Sequence, residues 1–81
     1  MTLYAYISTN IERIRHEVTL GIMPVSVLRH WEVYSRFDAY KKMQHPVVDA
    51  VLFTAGDMRC CESTVYKIIN KMEQPHEGTH H

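Results

Sequence analysis

Apolar residues return at helical spacing through most of this chain. Leu3, Ile7, Ile11, Ile14 and Val18 recur every three or four positions, with Glu12, Arg13, Arg15, His16 and Glu17 off the stripe. This predicts an amphipathic helix from about Thr2 to Leu20. Thr2 suits its N-cap, Gly21 its C-terminal stop, and Pro24 follows three residues on. The seam has two readings: it docks on the domain's own core, or it also pairs with its copy in a dimer. A second helix is expected from about Pro24 to Met43, where Val27, Leu28, Trp31, Tyr34, Phe37, Tyr40 and Met43 carry the apolar pattern. Its apolar face shifts near Ser35, so one long helix covered on two sides is expected, with the aromatics as core. Gln44-His45-Pro46 should be a loop, because a residue before proline is pushed out of the helical region. Pro46 then opens PVVDAVLFTAGDM, apolar nearly all round and so expected to be a buried central helix. Asp49 falls in its first turn, where the helix dipole favours a carboxylate.

The stretch Val51–Met72, VLFTAGDMRCCESTVYKIINKM, organises the rest. It reads as two helices, around Val51–Met58 and Cys61–Met72, joined by a tight turn. Few glycines and prolines and no strict alternation point to an all-α fold. The expected architecture is a single four-helix domain over residues 1–73, with a disordered tail over 74–81.

Within this stretch TAGDMRCCESTVYKII resembles the helix-turn-helix of bacterial regulators, resolvases and transposases. The resemblance covers about 22 of the 81 residues. Ala55 stands where the family takes a small residue for close helix crossing. Met58 and Cys60 stand at the apolar positions beside the turn, and Val65 and Ile68 at the inward positions of the second helix. Arg59 holds the turn position usually given to glycine, where a left-handed backbone is common. Cys61 holds the cap position usually given to serine, so Ser63 or Glu62 is expected to help cap. The resemblance implies that the second helix enters the major groove of double-stranded DNA. Glu62, Ser63, Tyr66, Lys67 and Asn70 would then face the groove, with Lys71 on the backbone. Asn70 could bond adenine and Lys67 guanine or phosphate; Tyr66 could meet a thymine methyl or a phosphate. The alternative is that these side chains are simply solvated. The layout also resembles the Mor/C activators of Mu-like phages, which implies a homodimer, here through the N-terminal helix.

Charge limits this reading. Nine basic residues balance nine acidic ones, giving a formal net charge of zero. The chain therefore lacks the general cationic advantage that releases phosphate counterions, and DNA binding must rest on local placement. Asp57 and Glu62 near the groove oppose it further. Arg36, Lys41 and Lys42 against Asp38 form the one locally basic part, either a solvated face or a phosphate contact.

Other chemistry is sparse. The adjacent Cys60–Cys61 pair suits partly buried packing better than a disulfide, nucleophile or zinc site. His16, His30 and His45 share no ligand spacing; His76, His80 and His81 fall in the polar tail, where adventitious metal binding is conceivable. No phosphate loop or catalytic carboxylate pair is visible, so no catalytic residue, cofactor or metal is expected. No apolar run reaches the roughly 20 residues of a membrane span, and the N-terminus lacks the pattern of a secretion signal. A cytoplasmic setting with reduced thiols follows as the expectation. The function expected is that of a small bacterial or mobile-element transcription regulator that binds DNA. The other classes are a helical protein–protein interaction or assembly module and a small regulatory subunit of an enzyme.

Overall fold

The computed structural model describes residues 1–76. It is all-helical, with α1 (Leu3–Thr9), α2 (Ile11–Thr19), α3 (Ser26–Lys42), α4 (Val47–Met58) and α5 (Glu62–Met72). The expected N-terminal helix is therefore two, and the described residues form five helices instead of the expected four. Asn10 makes the break: its backbone sits at φ −110°, ψ 21°, and its amide Nδ2 donates to the Tyr6 carbonyl at 2.8 Å. Thr9 Oγ1 likewise donates back to the Ala5 carbonyl at 2.9 Å. Such side-chain bonds compete with the helical ladder and bend it, and Ser8-Thr9-Asn10 has little helix propensity to resist them.

The other boundaries have local causes. Thr2 Oγ1 accepts from the Ala5 amide at 3.1 Å and caps α1. Gly21, at φ +80°, ends α2 in a left-handed turn. There the Ile22 amide reaches back to Glu17 and the Gly21 amide to Val18, the bond pair of a Schellman motif. Lys41 and Lys42 fall in the last turn of α3, at the negative end of its dipole. α3 remains one continuous helix through Ser35.

The core gathers Val33 and Phe37 of α3, Ala50, Val51, Ala55 and Met58 of α4, and Val65, Ile68, Ile69 and Met72 of α5. Ile7 and Ile14 close it from α1 and α2. The N-terminal apolar stripe is thus spent inside its own domain: Leu3, Ile11 and Val18 are half-buried against the same core. Among the α3 aromatics only Phe37 is fully buried, while Trp31, Tyr34 and Tyr40 pack at its margin and keep their polar tips bonded. Trp31 Nε1–H donates to Ser8 Oγ at 2.9 Å, and the Tyr34 hydroxyl donates to Glu73 Oε2 at 3.0 Å. Val33, between the expected apolar positions, is a core residue at 1% exposure, whereas Met43 is solvated.

Two further expectations change. α4 is not buried all round: Ala50, Val51, Thr54, Ala55 and Met58 face inward, but Val47, Val48, Leu52 and Phe53 are exposed. Residues 74–76, expected to belong to the frayed tail, are held by backbone contacts to the N-terminal segment. The Leu3 amide donates to the Gln74 carbonyl at 2.9 Å, Thr2 bridges to Pro75, and the His76 amide donates to the Met1 carbonyl at 2.8 Å. The expectations for the tail over residues 77–81, His80 and His81 included, fall outside the described residues.

Candidate nucleic-acid interface

α4 and α5 are joined by three residues, Arg59, Cys60 and Cys61. Arg59 adopts the left-handed conformation, φ 54° and ψ 48°, at the position where glycine is the usual residue. The Cys60 amide then bonds the Ala55 carbonyl at 3.1 Å and closes α4. The Arg29 guanidinium, from α3, donates to the Met58 carbonyl at the same helix end. A cation on the last carbonyls of a helix is favoured by its dipole. The turn is therefore held from within by a backbone bond and from outside by α3.

α5 is amphipathic in register. Val65, Ile68, Ile69 and Met72 turn inward, while Glu62, Ser63, Tyr66, Lys67, Asn70 and Lys71 are all exposed. At 3.6 residues per turn, Glu62, Ser63, Tyr66, Lys67 and Asn70 share the outward side. Tyr66 is 41% exposed, high for a tyrosine that its own fold does not use. Lys71 stands apart from this group, on the flank nearest α1, where its side chain lines a cavity with His30.

Cys61 is the N-cap residue of α5, with extended backbone at φ −83°, ψ 159°. Its thiol makes no cap bond to the backbone amides; instead Sγ lies 3.2 Å from Ser63 Oγ and 3.1 Å from Thr64 Oγ1. The Ser63 hydroxyl first, and then the Thr64 hydroxyl, lower the thiol to a pKa of about 7. Hydrogen bonds to the charged form favour it, and a helix N-terminus does the same. Near neutral pH a partial negative charge therefore sits beside Ser63. Cys60 is half-buried among the core residues.

The acidic and basic neighbours are rearranged by the fold. Asp57 accepts from the Tyr40 hydroxyl and pairs with Arg36 at 3.5 Å, so its charge is partly neutralised at the flank of α4. Lys42 pairs with Asp38 at 2.9 Å. The basic run 36–42 is thus largely consumed internally, with Lys41 exposed. Arg29 and Arg59 are the cations brought to the turn. The sequence marks Arg59 only as a turn residue, and nothing local marks Arg29, whose partner lies 29 positions away.

Among the described residues no helix is long and apolar enough to cross a membrane, and no three His, Cys, Asp or Glu side chains gather to hold a metal ion. Comparison with protein-family models, curated proteins and solved structures finds no match to this chain.

Proposed function

We propose that this chain is a small helix-turn-helix DNA-binding protein, a transcription regulator or mobile-element protein of bacterial type, acting in the cytoplasm. α5 enters the major groove. Ser63, Tyr66, Lys67 and Asn70 meet base edges, with Glu62 at the entering end, while Lys71, Arg59 and Arg29 approach the phosphate backbone. The observation that carries this reading is the three-residue turn with left-handed Arg59, followed by a helix whose polar face the fold leaves unused. Base contacts supply specificity and phosphate contacts fix the register, so a chain of zero net charge needs its few cations at the turn, where Arg29 and Arg59 stand. Two copies would set their recognition helices roughly 34 Å apart on DNA. The homodimer would form through the N-terminal segment, whose Leu3, Ile11 and Val18 pack on the core and stay partly exposed. The test is an amide NMR titration with duplex DNA. The expected result is shifts concentrated at residues 59–71; shifts confined to α1 and α2, or none, would overturn the reading.

The second reading is a helical protein–protein interaction or assembly module. It draws support from the outer face of α4, where Val48 is 65% and Leu52 50% exposed, with Gly56 one turn on. Exposed apolar side chains in a row on one helix suit a partner helix. Sedimentation at micromolar concentration separates the readings. An oligomer that Leu52→Lys converts to monomer, in a protein that ignores DNA at low salt, supports assembly without nucleic acid.

A further inference from the structure

α1, α2, the start of α3 and the C-terminal end of α5 enclose a half-open cavity of about 250 Å³. Its walls are apolar: Leu3, Ile7, Ile14, Met23, Val27 and Met72. Ile14 and Met72 are each 1% exposed and belong to the core. The remaining lining side chains are Tyr6, His30, Lys71 and His76. None of the residues lining the cavity is a carboxylate. Lys71 forms no ion pair among the described residues. Among the described residues the cavity therefore offers an ammonium with no ion-pair partner and two imidazoles at the edge of an apolar chamber.

We propose that this cavity binds a small carboxylate with an apolar body, such as a single aromatic ring or a short alkyl chain. The walls exclude a strongly hydrated polar molecule, because its polar groups would lose water without finding partners. Among the described residues the lining has no carboxylate for a hard divalent cation, and its two imidazoles fall short of the three protein ligands a zinc site needs. An anion meets Lys71 directly, and a charge-assisted hydrogen bond beside an apolar wall is stronger than one in water. His30 reinforces the division of roles. Burial, and then the charge of Lys71, lower its pKa, so it stays neutral and offers a hydrogen bond while Lys71 holds the charge. The size fits: a cavity of about 150 Å³ takes a benzene molecule, which leaves room here for a ring and its carboxylate arm. The entrance is built by the chain's two terminal segments. His76, tilted against Tyr6 with 4.2 Å between ring centres, is held there by the hydrogen bond that its backbone amide donates to the Met1 carbonyl. A ligand between them would bind the folded clasp and stabilise it by mass action.

The test uses the full chain, with phenylacetate, phenylacetamide and acetate as probes, read by NMR shifts and by melting temperature. The expected result is that phenylacetate shifts the methyls of Ile14 and Met72 and the His30 ring. It should bind about tenfold or more tightly than the uncharged amide, a loss of the size expected for one hydrogen bond to a charged group. Acetate, without the apolar body, should leave the methyls unmoved. Lys71→Met should abolish the preference for acid over amide while the amide still binds. Val27→Phe, which fills the chamber from a half-buried position, should abolish binding of both at an unchanged or higher melting temperature. Equal affinity for acid and amide in the wild type, shifts mapping outside the cavity, or no shift at millimolar phenylacetate would overturn the proposal. This experiment involves no DNA, so its failure is distinguishable from that of the groove-reading model, with which it shares Lys71 alone.

Discussion

Single residues carry three checkable consequences. Thr54 is fully buried and its hydroxyl has no hydrogen-bond partner. Leaving a buried hydroxyl unpaired costs roughly 1–3 kcal/mol, whereas valine keeps the branched shape without the polar atom. Thr54→Val should therefore raise unfolding stability by about 1 kcal/mol in a denaturant titration, and a loss of stability would mean that the hydroxyl is satisfied. Arg59 pays for its left-handed backbone, about 1–2 kcal/mol, and Arg59→Gly would recover it less about 0.4–1 kcal/mol of added chain entropy. The net gain should lie between about 0 and 1.6 kcal/mol, while the loss of a cation at the turn weakens DNA affinity. Stability and binding should thus move in opposite directions; unchanged DNA affinity would remove Arg59 from the interface, and a loss of stability would show that its left-handed backbone carries no net cost. Cys61 gives the pH dependence. Its thiol is neutral below a pKa of about 7 and a thiolate above it. Alkylation of Cys61 should accelerate through pH 7, well ahead of half-buried Cys60, and DNA affinity should fall over the same range as negative charge builds beside Ser63. A midpoint near the ordinary thiol value would contradict the bond pattern around Sγ. At this scale the chain was legible wherever one residue decides its own conformation: the Thr2 cap, the Gly21 stop and the turn at Arg59. It was not legible for Thr54 or Arg29, whose situations depend on elements distant in sequence.

Among the elements, helix existence followed directly from the spacing of apolar residues, and helix environment did not. The stripe Leu3-Ile7-Ile11-Ile14-Val18 runs through Asn10 without interruption, since a bend need not disturb the face that packs. Only the propensities of Ser8, Thr9 and Asn10 announce the break, and such preferences are small beside burial. α4 is the opposite case. A helix apolar on every side gives no direction to its core face, and α3 and α5 cover only the side of Ala50, Val51, Thr54, Ala55 and Met58. Its solvated side has a consequence for Leu52→Lys. Because Leu52 is half-exposed and outside the core, the substitution should leave the melting temperature within a few degrees, since surface changes fall within about 0.5 kcal/mol. A collapse of the fold would show that α4 is covered in solution by a partner that the chain requires. The pairing of the two terminal segments was illegible for a different reason. EQPHEGTHH is polar throughout, and its first residues are held by backbone bonds to residues 1–3, which leave no trace in hydrophobic pattern.

At the scale of the whole molecule a chain of zero net charge carries its few cations unevenly. Nine basic and nine acidic residues cancel, yet the fold pairs Asp57 with Arg36 and Asp38 with Lys42, away from α5. It brings Arg29 and Arg59 to the turn that precedes α5. A groove-reading helix on such a scaffold should bind through few phosphate contacts, with a shallow salt dependence and a larger share of its affinity in base contacts. The most direct measurement is the affinity of fluorescent genomic DNA fragments for the wild type and for Lys67→Ala/Asn70→Ala, each between about 50 and 200 mM salt. The account predicts wild-type binding that weakens with salt, and a further loss of about tenfold or more in the double variant at every salt concentration. Absence of binding at the lowest salt, or equal affinity of the two proteins, would contradict it.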